Sequence, residues 1–258
     1  MSFPDAGVTV AGVDGCKAGW IAVVFVPGGE PVIRVFTTIA ELVDALPVEA
    51  TIAVDMPIGL PDATRHGGRG PETLVRKLLG ERQSSVFSIP SRAALFAADE
   101  PFTTIERWHE AHREASRAAR ETSDPPRGVS IQAFGIFAKI RELDRLLRAR
   151  PGLNRRLVES HPEVAFWRLN GERPLRLPKK TKGKVSPAGM DERKALLTMA
   201  GYQPAFLDQP PPRGAAADDF LDAAALAVTA ARYARGEAHS FPASPARDSH
   251  GQPIAIWV

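Results

Sequence analysis

At 258 residues, with 44% apolar and 24% charged residues, the chain has the length and composition of a globular protein with a sizeable core. No apolar run approaches the roughly 18 residues of a membrane span, which excludes a helical membrane protein and leaves no membrane partner to expect. A net charge of +3, from 33 basic and 30 acidic residues, is too weak a field to draw nucleic acid by itself, so any such contact has to come from local clusters. In chain order, β-rich runs at residues 8–14, 20–26 and 31–37 are separated by "DGCKAG" and "PGGE", turn signals that predict an antiparallel meander. Thr38 and Glu41 then form a capping box ahead of a short helix to about Leu46, which Pro47 closes. The run "TIAVDMPIGLP", residues 51–61, repeats the opening design: an apolar strand ends in an acid, Asp55, as the first strand ends in Asp14.

Residues 62–150 change character, becoming rich in Arg, Ala and Glu, with helices predicted over 102–121 and 130–149. They read as a helical insertion within one α/β domain spanning 1–258. Ile136, Ile140, Leu143 and Leu147 recur at helical spacing and are assigned to core, while the charged face of 106–121 is a solvated surface. Residues 155–169 predict a fifth strand running into a helix with Pro162 at its first position, so Glu163 sits at the junction. "RPLRLPKKTKGKVSP" is a basic loop, "DERKALLTMAG" a helix stopped by Gly201, and "AADDFLDAAALAVTAARYARG" a long Ala-rich helix. "PIAIWV" is expected to add a closing edge strand.

Asp14 and Asp55 become neighbours if their strands pair in parallel. At about 100° per residue, Asp219 and Asp222 of the last helix lie about 60° apart and face the same way. Asp218 has a ready role as a negative charge at a helix N-terminus. Converging carboxylates repel one another unless protonated or neutralised by cations. A hard oxygen donor set with a single cysteine, Cys16, points to Mg²⁺ or Mn²⁺, not zinc, and that cysteine has no partner for an intrachain disulfide. Such a set can hold two ions about 4 Å apart for phosphodiester hydrolysis.

The segments "GVDGCKAGW", "AVDMPIGLP", "LGERQSSVFSIPSR", "SHPEVAFW", "KKTKGK" and "DDFLDAAALA" together resemble an uncharacterised bacterial and archaeal family of predicted nucleases with the RNase H fold. The resemblance implies an RNase H-like fold: a five-stranded mixed sheet flanked by helices, with the helical insertion between the fourth and fifth strands. It implies a divalent-metal-dependent nuclease acting on DNA or RNA in the cytoplasm; the start "MSFPDAG" also lacks a secretory signal. The site layout is similar to that of RuvC-type Holliday-junction resolvases. Carried over, the metal ligands are Asp14, Asp55, Asp219 and Asp222, with Asp at position 55 where the resolvases have Glu. The resolvases lack this chain's His-Pro-Glu junction, so Glu163 reads either as an auxiliary fifth acid of this family or as a helix N-terminal carboxylate. Lys179 and Lys180, in a basic run with Lys182 and Lys184, are expected to hold substrate phosphate, as are Arg82 and Arg92.

Other chemistries fit less well. His161-Pro162-Glu163 matches half of a zinc deaminase signature, but the P-C-x-x-C half is absent, so His161 reads as a packed histidine. Neither a Ser-His-Asp signature, a dinucleotide-binding glycine fingerprint nor a P-loop occurs. A phosphotransferase of the actin and sugar-kinase type, and a silent binding module for nucleic acid or an acidic metabolite, remain the alternatives.

Overall fold

A computed structural model of the chain describes residues 6–99, 102–181 and 183–258. The first five residues and Lys182 of the basic run lie outside them. The opening apolar run forms β1 (Val10–Cys16), which turns through Lys17 and Ala18 into β2 (Gly19–Phe25) and then β3 (Val32–Phe36). Both pairings are antiparallel, as the turn chemistry requires. One detail differs from expectation: β1 continues two residues past Asp14, which lies within the ladder opposite Ile21. The connection is that short because Gly19, at φ +132°, packs where a Cβ would strike the Phe36 and Thr37 carbonyls.

Thr38 caps α1 (Ile39–Asp44), its hydroxyl accepting the Glu41 N–H at 3.2 Å. β4 (Thr51–Val54) then lies parallel to β1, with Val13 beside Val54. The following segment carries β5 (Thr64–Arg65), α2 (Pro71–Arg76), α3 (Arg92–Leu95), α4 (Ile105–Glu121), β6 (Ser123–Asp124), α5 (Ile131–Phe134) and α6 (Phe137–Ala149). The single helix expected over 130–149 is therefore two, because Gly135 ends the first and Ile136 leaves helical geometry (φ −102°, ψ 1°). Ile136 is partly buried against the same core as Ile140, Leu143 and Leu147 and also lines a cleft described below.

β7 (Leu157–Glu159) adds a parallel strand to β4, and α7 (Pro162–Leu169) follows with His161 as its cap. The main sheet has the order β3-β2-β1-β4-β7. Next come the small hairpin of β8 (Lys180–Thr181) and β9 (Lys184–Val185), then α8 (Pro187–Met199), α9 (Pro204–Leu207) and α10 (Ala217–Ala234). The chain closes with β10 (Ser240–Arg247) and β11 (Pro253–Trp257). The closing strand does not extend the main sheet as expected. It pairs with β10 in a separate ribbon that touches the sheet through the Ser160–Trp257 bridge. β7 is only three residues long and offers little edge to extend, so the Ser160 hydroxyl, donating to the Trp257 carbonyl at 2.7 Å, makes the junction.

Side chains alternate across the sheet with the two-residue period of extended backbone. Ala11, Val13, Ile52 and Val54 face a core shared with α1, α4 and α6, so the 62–150 segment builds one layer of the fold. Val10, Ile21, Ala53 and Val158 face the other core, with α7, α8 and α10. Gly12 shares that face, and a Cβ there would lie 2.0 Å from the Ala223 carbonyl oxygen and Ala227 nitrogen. A glycine on the strand and alanines on the helix let α10 lie directly on β1. That contact fixes where the first turns of α10 sit relative to Asp14, two residues along the same face as Gly12.

Candidate active site

Asp14 and Asp55 meet at the end of the β1–β4 pair. The Asp55 N–H donates to the Val13 carbonyl at 2.8 Å, carrying the parallel register one residue beyond the strand and setting the two acids side by side. Asp14 is buried, and one of its oxygens accepts the Gly15 N–H at 2.6 Å. From α10 the buried Asp222 approaches the same place, where its Oδ2 accepts from Lys179. Asp218, one turn earlier, takes Lys180 Nζ at 2.6 Å and has Lys179 Nζ at 3.8 Å, while its Oδ1 has no partner.

The charges register one another. Burial, then Asp55 and Asp222, push the Asp14 carboxyl well above the usual carboxylate range against the pull of Lys179. Burial and Asp222 push Asp55 up to about 7. Burial alone would lower the Lys179 ammonium, but Asp222, Asp14 and Asp218 outweigh it and hold it above its ordinary range. These acids thus form one electrostatic unit.

On α10 the structure engages Asp218 and Asp219 differently from expectation. Asp219, expected as a ligand, reaches back to accept the Ala216 N–H at 2.9 Å. Ala216 precedes the helix and has no side-chain acceptor of its own, so the third helical residue satisfies that donor instead. Asp218, expected only to complement the helix dipole, faces the lysines. Asp218 and Asp219 lie four and three residues before Asp222, both within about a turn of it, and only the docked rotation of α10 separates them.

Glu163 is buried at the start of α7, and its Oε1 accepts from Arg193, which is fully buried and also donates to the Leu177 and Gly189 carbonyls. Its Oε2 has no partner, and its charge contributes to raising Asp55. His161 Nδ1 accepts the Glu163 N–H at 3.2 Å, which fixes Nε2 as the protonated nitrogen, 3.4 Å from the Ser85 carbonyl. Burial lowers its pKa, so it stays a neutral, satisfied cap.

Neither expected phosphate-binding arginine joins this group. Arg82 pairs with Glu81 at 3.1 Å on a 3₁₀ turn, Gly80–Ser85. Arg92 is engaged by Asp144 at 2.8 Å and Asp248 at 2.9 Å, so it ties α3 to α6 and to the C-terminal ribbon. Lys139, unassigned from the sequence, does join. It lines a cleft of about 200 Å³ together with Asp14, Asp55, Met56, Phe87 and Ile136. Its Nζ donates to the Gly19 carbonyl at 2.5 Å and lies 4.5 Å from the Trp20 ring centre. The sequence signal for it was one glycine: Gly15 has no Cβ, and one there would sit 2.7 Å from Lys139 Cδ.

The donor set is that of a hard divalent cation: carboxylates from two adjacent strand ends, under mutual repulsion that a cation relieves. Among the described residues, no group of three or more His, Cys, Asp or Glu side chains is already placed around one ion position. Mg²⁺ is commonly held by one or two carboxylates with water and substrate completing its shell, so the Asp14–Asp55 pair fits such an ion as a partial set.

An α/β protein with acids at adjacent parallel strand ends is the class these features define. The chain matches the family described as protein of unknown function (DUF429) over residues 12–247, and it belongs to that family. No curated protein and no solved structure matches it. Among the described residues no helix is long and apolar enough to cross a membrane.

Proposed function

We propose that the chain is a divalent-metal-dependent nuclease of RNase H-like fold, with residues 62–150 as its helical insertion, hydrolysing phosphodiester bonds of DNA or RNA in the cytoplasm. The observation that supports it most is the side-by-side setting of Asp14 and Asp55, with Asp222 brought against them by α10. In this reading Asp14 and Asp55 hold Mg²⁺ or Mn²⁺. When bound, such an ion supplies charge neutralisation at the phosphate and acidifies a water.

The rest follows from the chain's own groups. Lys180, exposed on the β8–β9 hairpin and paired with Asp218, carries the ammonium that would turn to a phosphate of the strand. Lys139 presents a second one from the cleft beside Asp14. The apolar wall of Met56, Phe87 and Ile136 excludes water from one side of the carboxylates, which strengthens their interactions. His161 is committed to capping α7 and is left out of the proton transfers.

The direct test is a cleavage panel of branched DNA, single strands and RNA–DNA hybrids with Mg²⁺ or Mn²⁺. Cleavage that EDTA abolishes and that Asp14→Asn lacks is the expected result. Cleavage unaffected by EDTA, or the absence of cleavage on every substrate, overturns the reading.

A further inference from the structure

The acids of the site fall into two groups that differ in their cations. Asp218 and Asp222 on α10 are met by Lys179 and Lys180. Among the described residues Asp14 and Asp55 have no ion pair to a Lys or Arg. Glu163 is matched by Arg193, and Asp219 by the helix N-terminus. The ion pairs of these two lysines therefore all go to the α10 pair, and the Asp14–Asp55 pair is left without one.

Lys179 is also held in place, unlike an ordinary loop lysine. The residues before it are tied to α8: Glu192 accepts the Arg176 and Leu177 N–H groups at 3.0 and 2.9 Å, and Arg193 donates to the Leu177 carbonyl at 3.2 Å. Gly189 lets that helix come so close that a Cβ would lie 2.0 Å from the Pro178 carbonyl oxygen. The Lys179 carbonyl itself accepts the Ser186 N–H at 2.9 Å. Its ammonium is thus delivered to Asp222 by a braced backbone. Lys180, one residue on, is exposed and not braced in this way.

Two buried oxygens flank this cluster without a partner: Oδ1 of Asp218, 3% exposed, and Oε2 of Glu163, 5% exposed. Each belongs to a carboxylate whose other oxygen is paired, Asp218 with Lys180 and Glu163 with Arg193.

We propose that the site takes a single divalent cation, at Asp14 and Asp55, and that the braced Lys179 ammonium occupies the place of a second one, against Asp222 and Asp218. This rests on the metal-dependent reading above and replaces its two-ion form. A fixed ammonium supplies one positive charge with no ligand shell to fill, so α10 needs no further carboxylate there.

The test is Mn²⁺ stoichiometry on the full chain, by calorimetry and by electron paramagnetic resonance. The wild type is expected to bind one Mn²⁺ with the spectrum of an isolated ion. Lys179→Met is expected to bind two, with the multiline signal of an exchange-coupled pair, and Lys179→Arg to bind one. Two coupled ions in the wild type overturn the proposal, and that result stands even if Lys179→Met does not fold. A single ion in well-folded Lys179→Met also overturns it. No Mn²⁺ bound by either protein overturns the metal-dependent reading itself, a different failure from a count of two.

Discussion

Two clusters of buried charge lie within one chain and are built on opposite plans. In the first, Arg69 is fully buried between Glu72 at 2.7 Å and Glu159 at 2.5 Å. It also donates to the Ile58 carbonyl at 2.7 Å, and the Ile58 N–H returns a bond to Glu159 at 2.7 Å. Arg92 is placed similarly between Asp144 and Asp248, and Asp248 accepts three further backbone N–H groups. Planar guanidinium groups, each held between two carboxylates, make these clusters structural, although Glu72 Oε2 and Arg92 Nε have no partner. In the second, two lysines meet only Asp218 and Asp222, and among the described residues Asp14 and Asp55 have no ion pair to a Lys or Arg. Removing a charge from the first plan leaves its partner stranded. Removing an acid from the second relieves repulsion.

The largest expected effect is on the second cluster. Asp14→Asn should lower metal-dependent cleavage by on the order of 10²–10³-fold, the size of losing one preorganised electrostatic partner. At the same time the metal-free protein should gain about 2–4 °C in Tm, because roughly 1 kcal/mol of repulsion disappears. A fall in Tm by differential scanning calorimetry would erase the contrast between the plans. Arg92→Met should do the reverse, costing about 3 kcal/mol in urea denaturation by stranding Asp144 and Asp248, with Mn²⁺ affinity unchanged. Weakened Mn²⁺ binding in that variant would return Arg92 to the site.

Next in size is a dependence on pH. Asp55 is held up to about 7 by burial and Asp222, against roughly 3.9 in an unfolded chain. Its protonated form is the one folding favours, so its contribution to stability is full below about pH 4 and is lost as pH rises through about 7. Metal-free Tm should therefore drift down over that window in the wild type, and the drift should be smaller in Asp55→Asn. Parallel curves would remove Asp55 from the repelling group. The smaller effects concern single groups. Asp219→Ala should cost about 1 kcal/mol as a lost helix cap and leave Mn²⁺ binding as it was. Lys180→Gln should reduce the salt dependence of nucleic-acid binding by slightly less than one log unit per log unit of salt.

Much of the frame was legible because it depends on local signals. The alternation of the early strands, the Thr38–Glu41 cap and Pro162 at the head of a helix all describe neighbours in sequence, and each formed where expected. The break at Gly135, the extra length of β1 and the separate C-terminal ribbon were less visible. Each depends on what packs nearby, such as the short edge of β7 that leaves β11 to pair with β10. Lys139 escaped notice because a lysine in an insertion has no pattern of its own; its place is set by a glycine more than a hundred residues away.

The sequence by itself determined that acids end or nearly end two buried strands, that more acids open the last helix, and that a family likeness spans most of the chain. Local chemistry suffices for those statements, since a residue's type and its strand or helix period are written in order. Only the tertiary structure decided which acids share one field, that Asp218 meets lysines while Asp219 caps the helix, and that Arg92 pairs with Asp144 and Asp248 while Lys179, expected to hold phosphate, pairs with Asp222. Those outcomes turn on the rotation of α10 against β1 and on the bracing of residues 175–179 by α8. Both are contacts between segments far apart in the chain, where a few ångströms determine which carboxylate meets a lysine and which meets the backbone.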